Sequence, residues 1–240
     1  MSPTLPKPKT PYRKWQDTVD QSKTDKRWND HDALITSTVN EFNARLTAGK
    51  TGYRNLDWRL VKAMIWVESG GPGNLAWTTR PMQIGNPGDP GLSALLSGKE
   101  GGDLILTSAL KLKLLQGAST AGPNIQAGVA YLLMRAATFS CKSVPNALDK
   151  TVYEVAVKAG DNLEKIATAH ATTVDMLKAL NPGSGALIKP GQKLKYQKAS
   201  VQQVITGWQP ITTDFAARKY NVHDPMYRQK LDYCLSLTAK

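Results

Sequence analysis

Apolar residues recur at helical spacing through the first half of the chain and again near its end, while residues 151–197 have a different character. Leu34, Ile35, Val39, Phe42 and Leu46 fall on one side of a helix that Asp30 or Asp32 can cap. Leu60, Val61, Met64 and Ile65 form one face of a second helix. Glu68 lies four residues beyond Met64 and three beyond Ile65, so it continues that face, and Gly70-Gly71 then stops the helix as a left-handed cap. A long loop follows to Asp89, punctuated by Pro72, Gly73, Pro81, Pro87 and Gly88; loops of such length inside a compact domain are usually functional. Residues 91–117 mix signals, and a hairpin and a short helix fit them equally. A further helix spans 124–137 after Gly122-Pro123, with Ile125, Val129, Leu132 and Leu133 as its buried stripe. Residues 1–28 carry prolines and lysines with few apolar positions, which predicts an extended or loosely packed arm.

In residues 151–197 the valines at 152, 155 and 157 mark a strand. Asp161 with Glu164 makes a capping-box-like helix start, and Thr173 with Asp175 starts a second helix. Asn181-Pro182-Gly183 ends the latter, and Pro190-Gly191 turns the chain into a last strand. The outer strands of a strand-helix-helix-strand unit pair antiparallel, so its two ends emerge side by side. Such a unit can sit in a surface loop of a host without straining it. The expected architecture is therefore mainly α: a helical host in two parts, 29–148 and 199–240, with a small α+β domain at 151–198 inserted between them.

At 240 residues, 41% hydrophobic and 21% charged, the chain has the composition of an ordinary globular protein with one medium and one small domain. Its formal net charge of +12 suits nucleic acid, anionic wall polymers or acidic membrane surfaces. The nucleic-acid reading rests on charge alone, so no nucleic-acid partner is expected. No stretch is long and apolar enough to span a bilayer; the run from Leu60 to Val67 is short and carries Lys62. The basic, proline-rich start has no apolar core after it, which argues against a secretory signal peptide. His31, His170 and His223 have no metal-ligand spacing, and no phosphate-binding or dinucleotide motif appears, so neither metal nor cofactor is expected. Cys141 and Cys234 admit two readings, a pair of buried free thiols or a disulfide joining the separated parts of the host.

The chemistry centres on Glu68. Apolar packing disfavours its charge, and the negative end of the helix dipole lies close by; both raise its pKa and suit it to donate a proton near neutral pH. Glu68-Ser69 followed by Met82-Gln83-Ile84 resembles the first two motifs of the soluble, goose-lysozyme-like lytic transglycosylases, although Arg80-Pro81 stands where the family usually has Gly-Leu. Asn124, Gly128, Tyr131 and Leu132 match its third motif. The stretch ending in Tyr220-Asn221 resembles the fourth. The resemblance implies a lysozyme-like catalytic domain in which Glu68 is the acid and Ser69, Met82, Gln83, Ile84, Asn124, Tyr131, Tyr220 and Asn221 line the substrate cleft. The inserted segment resembles a LysM domain. That implies binding of N-acetylglucosamine-containing glycans between two loops carrying Gly160, Asp161, Asn162 and Leu163 on one side and Asn181, Pro182 and Ile188 on the other.

Most glycosidases use two carboxylates. Asp89 and Asp224 sit in turns where aspartate is common for its own reasons, so no convincing second acid accompanies Glu68. The resembled family needs only one, because the muramic sugar supplies its own C6 hydroxyl as nucleophile and leaves a 1,6-anhydro end. The expectation is thus a peptidoglycan-cleaving lytic transglycosylase held on its substrate by the LysM segment. A hydrolytic muramidase and a non-catalytic wall-binding protein are the alternatives. A periplasmic wall substrate without a signal peptide points to an antibacterial effector delivered by a specialised secretion system, or to a phage enzyme. An effector would carry a neutralising immunity protein as partner.

Overall fold

A computed structural model describes residues 8–184 and 187–238. It is mainly helical, with one small β-α-α-β element. The chain divides into two compact units: one runs to Thr138 and resumes at Ile205, and the other is Phe139–Val204.

In the first unit, α1 (Pro11–Ser22) overturns the expectation of an extended arm for residues 8–28; residues 1–7 of that arm lie outside the described residues. Thr10 caps the helix and Pro11 occupies its first turn, where a missing N–H costs nothing. Tyr12, Trp15 and Val19 share the face that buries. Trp15 packs edge-on against Tyr233 at 5.9 Å, Tyr12 donates to the Gln229 carbonyl at 3.1 Å, and Tyr233 donates to Asp20 at 2.6 Å. Few apolar residues suffice when they are large aromatics at helical spacing. A 3-10 turn (Lys26–Asn29) then buries Trp28 against Trp66 at 4.7 Å.

Helix α2 (Asp32–Ala48) begins at His31; Asp32 lies in its first turn and does not cap it. Helix α3 (Trp58–Ser69) is capped by Asp57, whose carboxylate accepts from the Arg59 N–H at 2.9 Å. Lys62 is the one charge buried in α3, and it is satisfied by Asp32 at 2.6 Å and Asn29 at 2.7 Å. A buried ammonium without such partners would not keep its charge.

The expected loop after Gly71 contains a short helix, α4 (Leu75–Thr79), whose Trp77 is buried beside Trp28. The ambiguous residues 91–117 form three short helices, α5 (Gly91–Ser97), α6 (Gly102–Ile105) and α7 (Ser108–Leu115), with no strand. Helix α8 (Ala121–Ala136) starts three residues before Asn124, because Pro123 is tolerated in a first turn.

Strand β1 (Ala137–Pro145) leads on from α8. In the second unit, β2 (Tyr153–Ala156), α9 (Leu163–Ala169), α10 (Val174–Leu180) and β3 (Lys193–Tyr196) follow in order. β2 and β3 pair antiparallel, with Tyr153 opposite Tyr196 and Ala156 opposite Lys193. Val157, Leu163, Ile166, Ala167, Leu177 and Leu194 form a separate small core there. Strand β4 (Ala199–Trp208) pairs with β1, a two-stranded ribbon that no sequence pattern announced. Its strands alternate only weakly in burial and leave most side chains in water. Helices α11 (Thr213–Lys219) and α12 (Tyr227–Thr238) complete the first unit, α12 lying along α3.

Of the two readings of the cysteines the structure holds free thiols, and only one of the pair is buried. Cys141 is exposed on β1, and Cys234 is buried in α12, where burial pushes its thiol up to about 12.

Candidate functional site

Glu68 stands in the last turn of α3, which ends where Gly70 takes a left-handed φ of +69°. Its side chain opens into a cleft of about 170 Å³ lined by Met82, Gln83, Ile84, Tyr131, Tyr220 and Asn221, with Asp89, Gly91 and His223. Four segments far apart in sequence therefore meet at one carboxyl group. Burial raises the Glu68 pKa. Asn221 opposes this by donating to Glu68 Oε1 at 3.3 Å, and the Tyr227 hydroxyl also faces the carboxyl, though without good hydrogen-bond geometry. Asp224 adds to the rise, and Lys230, ion-paired with Asp224 at 2.7 Å, counteracts it. The Tyr220 and Tyr227 hydroxyls are held well above their ordinary range, by burial first and then by the neighbouring Glu68 charge.

The wall opposite Glu68 is built on close packing. Tyr220 donates to the Met82 carbonyl at 2.7 Å and meets Tyr131 edge-on at 5.7 Å. Both Met82 and Tyr220 press on Gly128 of α8, where a Cβ would lie 2.6 Å from Met82 Cβ and 2.8 Å from the Tyr220 hydroxyl. Only glycine admits that approach. Asn124, one turn earlier, is fully buried. It accepts from the Met82 N–H at 2.8 Å and donates to the Ile84 and Ala118 carbonyls, each at 2.9 Å. Asn124 thus holds the 82–84 segment and has no amide atom left for substrate.

Ser69 likewise serves the backbone. It is buried, donates to the Ile65 carbonyl at 2.6 Å and accepts from the Gly71 N–H at 3.2 Å. Gln83 does line the cleft, in a left-handed conformation with φ +52°. Its amide donates to the Arg80 carbonyl at 2.7 Å and accepts from Asn86 at 2.8 Å, so it offers a sugar its edge more than a vacant donor.

The acids near Glu68 are engaged. Asp89 accepts from the Gly85 and Gly91 N–H groups at 2.8 and 2.9 Å, and Asp224 accepts from the Met226 N–H at 2.9 Å besides its ion pair with Lys230. His223, which sequence reasoning set aside for want of metal spacing, lines the cleft. The signal for it was its place two residues after Asn221. No cluster able to hold a metal ion occurs among the described residues.

A larger cavity, about 720 Å³, lies in the second unit between the β1–β4 ribbon and the turn joining α9 to α10. The one ionisable side chain lining it, Lys198, is ion-paired with Asp149 at 2.9 Å, so it lacks acid–base chemistry.

The second unit itself has the order β2-α9-α10-β3 around a closed core. Residues 155–196 match the LysM domain family. No curated protein and no solved structure matches the chain. Of the expected glycan-contacting residues in this LysM domain, Gly160, Asn162 and Pro182 are exposed and Asp161 is half-buried. Asp161 accepts from the Lys158 N–H at 2.7 Å, and Asn162 caps α9 through the Lys165 N–H at 2.8 Å. Leu163 is instead a core residue, and Ile188 packs partly against that core. Asn181 is a lock between α10 and β3: it donates to the Leu177 and Lys195 carbonyls at 2.8 and 2.7 Å and accepts from the Lys195 N–H at 2.9 Å. Residues 185 and 186 of the second loop lie outside the described residues.

Proposed function

We propose that the chain binds peptidoglycan through its LysM domain and cleaves the glycan strand at the Glu68 cleft as a lytic transglycosylase. The observation that carries this reading is a half-buried carboxyl at the end of α3, its pKa raised, facing a cleft in which every other nearby acid is occupied. A carboxyl so placed holds its proton into the range where acid catalysis is useful. The protonated Glu68 gives its hydrogen to the oxygen joining N-acetylmuramic acid to N-acetylglucosamine, and the bond from C1 to that oxygen breaks. The resulting carboxylate accepts the proton of the muramic C6 hydroxyl as its oxygen bonds to C1, which returns Glu68 to its acid form and leaves a 1,6-anhydro end. No second carboxylate is required for that sequence. Asn221 orients the carboxyl at 3.3 Å, and Tyr131 and Tyr220 offer ring surface along the cleft.

The deciding experiment is digestion of purified sacculi, with mass spectrometry of the released fragments. Anhydro ends, one water lighter than hydrolysed ends, are expected with the native chain. Glu68→Gln should bind sacculi and release nothing. Hydrolysed ends would assign a muramidase reaction instead, and full activity in Glu68→Gln would remove this residue from the chemistry.

A further inference from the structure

A second, aromatic pocket lies in the same unit as the cleft but away from it. The loop before α3 and the chain leaving β4 enclose about 240 Å³ lined by Tyr53, Arg54, Trp208, Gln209, Pro210 and Ile211, with Gly52 at its edge. Tyr53 and Trp208 meet at 64° with centroids 4.7 Å apart, so the two rings form a corner. Both are fixed by their polar ends: Trp208 Nε1 donates to Thr51 Oγ1 at 2.8 Å, and the Tyr53 hydroxyl donates to Asn43 Oδ1 at 2.6 Å. Rings held this way present apolar faces without an ordering penalty on binding. Arg54 is exposed beside them, and none of the ion pairs among the described residues involves it. Its planar guanidinium suits a carboxylate. The volume falls below the usual range of about 300–1,000 Å³ for drug-sized ligands, which favours a single ring with a substituent over a strand. The pocket precedes the first turn of α3 and Glu68 occupies its last, a separation of about 15 Å at the helical rise per residue.

We infer that this corner binds a pyranose ring bearing an acidic arm, the chemistry of a muramyl peptide, giving the cleft-bearing unit a glycan contact of its own. The inference rests on the peptidoglycan reading above but not on Glu68. The sugar's C–H face lies on Trp208 and Tyr53, its amide or hydroxyl groups meet Gln209, and its carboxylate meets Arg54.

Calorimetric titration of the full chain with N-acetylmuramyl dipeptide tests this. The probe has no bond between two sugars, so turnover cannot interfere and Glu68→Gln should bind it as the native chain does. Arg54→Ala should weaken binding at least tenfold and Arg54→Glu should abolish it, while neutral tri-N-acetylglucosamine binds all three chains alike. Trp208→Ala should abolish the dipeptide interaction. If that variant misfolds by circular dichroism, the exposed Arg54 pair decides. No heat with the native chain, or unchanged affinity in Arg54→Glu, overturns the inference. Absent dipeptide binding beside intact cleavage of sacculi would sink this pocket alone, and intact dipeptide binding beside absent cleavage would sink only the reaction.

Discussion

Gly128→Ala perturbs the cleft without touching its acid. The added methyl carbon would lie 2.6 and 2.8 Å from Met82 Cβ and Cγ, and 2.8 Å from the Tyr220 hydroxyl. Met82 has no exposure, and its N–H is held by Asn124 at 2.8 Å, so it cannot retreat freely. Overpacking a filled core costs about 1–3 kcal/mol, against which alanine's helix propensity returns about 1 kcal/mol over glycine. The expected net is a destabilisation of up to about 2 kcal/mol, read as a fall in Tm of up to roughly 8 °C for a unit of this size. Clearing of a wall suspension should fall with it, because Tyr220 and Met82 are displaced from the cleft. Gly122→Ala, in the first turn of the same helix, adds its methyl where no atom lies within 4 Å. That variant should be neutral or gain up to about 1 kcal/mol. Thermal scans followed by circular dichroism compare the two directly. If Gly128→Ala melts at or above the native temperature and clears walls at the native rate, the close approach of Met82 and Tyr220 does not hold this cleft together.

Burial makes Glu68 a liability to the fold as well as an acid. With its folded pKa raised, the carboxyl costs nothing below the ordinary carboxylate range and destabilises increasingly as pH rises from that range through the folded value. Glu68→Gln should therefore raise Tm more at pH 8 than at pH 4, and an equal change at both would contradict the raised pKa. In the native chain, cleavage of sacculi should decline on the alkaline side as the same group loses its proton, a limb that a rate-against-pH series would show. A thiol reagent should modify Cys141 in the folded chain and reach Cys234 only after denaturation, since the latter is buried with its pKa near about 12; immediate reaction of both would refute the packing of α12. Asn181→Ala removes two hydrogen bonds from the end of α10 to Lys195 of β3 and one to the Leu177 carbonyl of its own helix, and should destabilise the LysM unit by about 0.5–1.5 kcal/mol in a urea melt.

The helices with periodic apolar faces and the β-α-α-β order were legible in the sequence because those patterns reflect one buried face each. Glu68, Gln83, Tyr131, Tyr220 and Asn221 could be singled out, and the structure brings them to one cleft. What escaped was set by partners distant in the chain. Helix α1 buries only Val19 fully, and its aromatics find their surface on α12, more than 200 residues away. The β1–β4 ribbon is mostly solvated, so no alternation betrayed it. Asn124 and Ser69 look like substrate residues in a motif, yet each spends its polar atoms on backbone groups, and only coordinates reveal which.

The acid on α3 comes early in the chain, whereas Tyr220, Asn221 and Tyr227, which complete its surroundings, are made only after the whole LysM unit. A ribosome must therefore finish the intervening domain before the pocket around Glu68 can close. A chain truncated after the insertion would carry Glu68 and the LysM domain but lack Tyr220, Asn221 and Tyr227, leaving the carboxyl more open to water. Translation itself leaves the surroundings of Glu68 unassembled until α12 has emerged and docked.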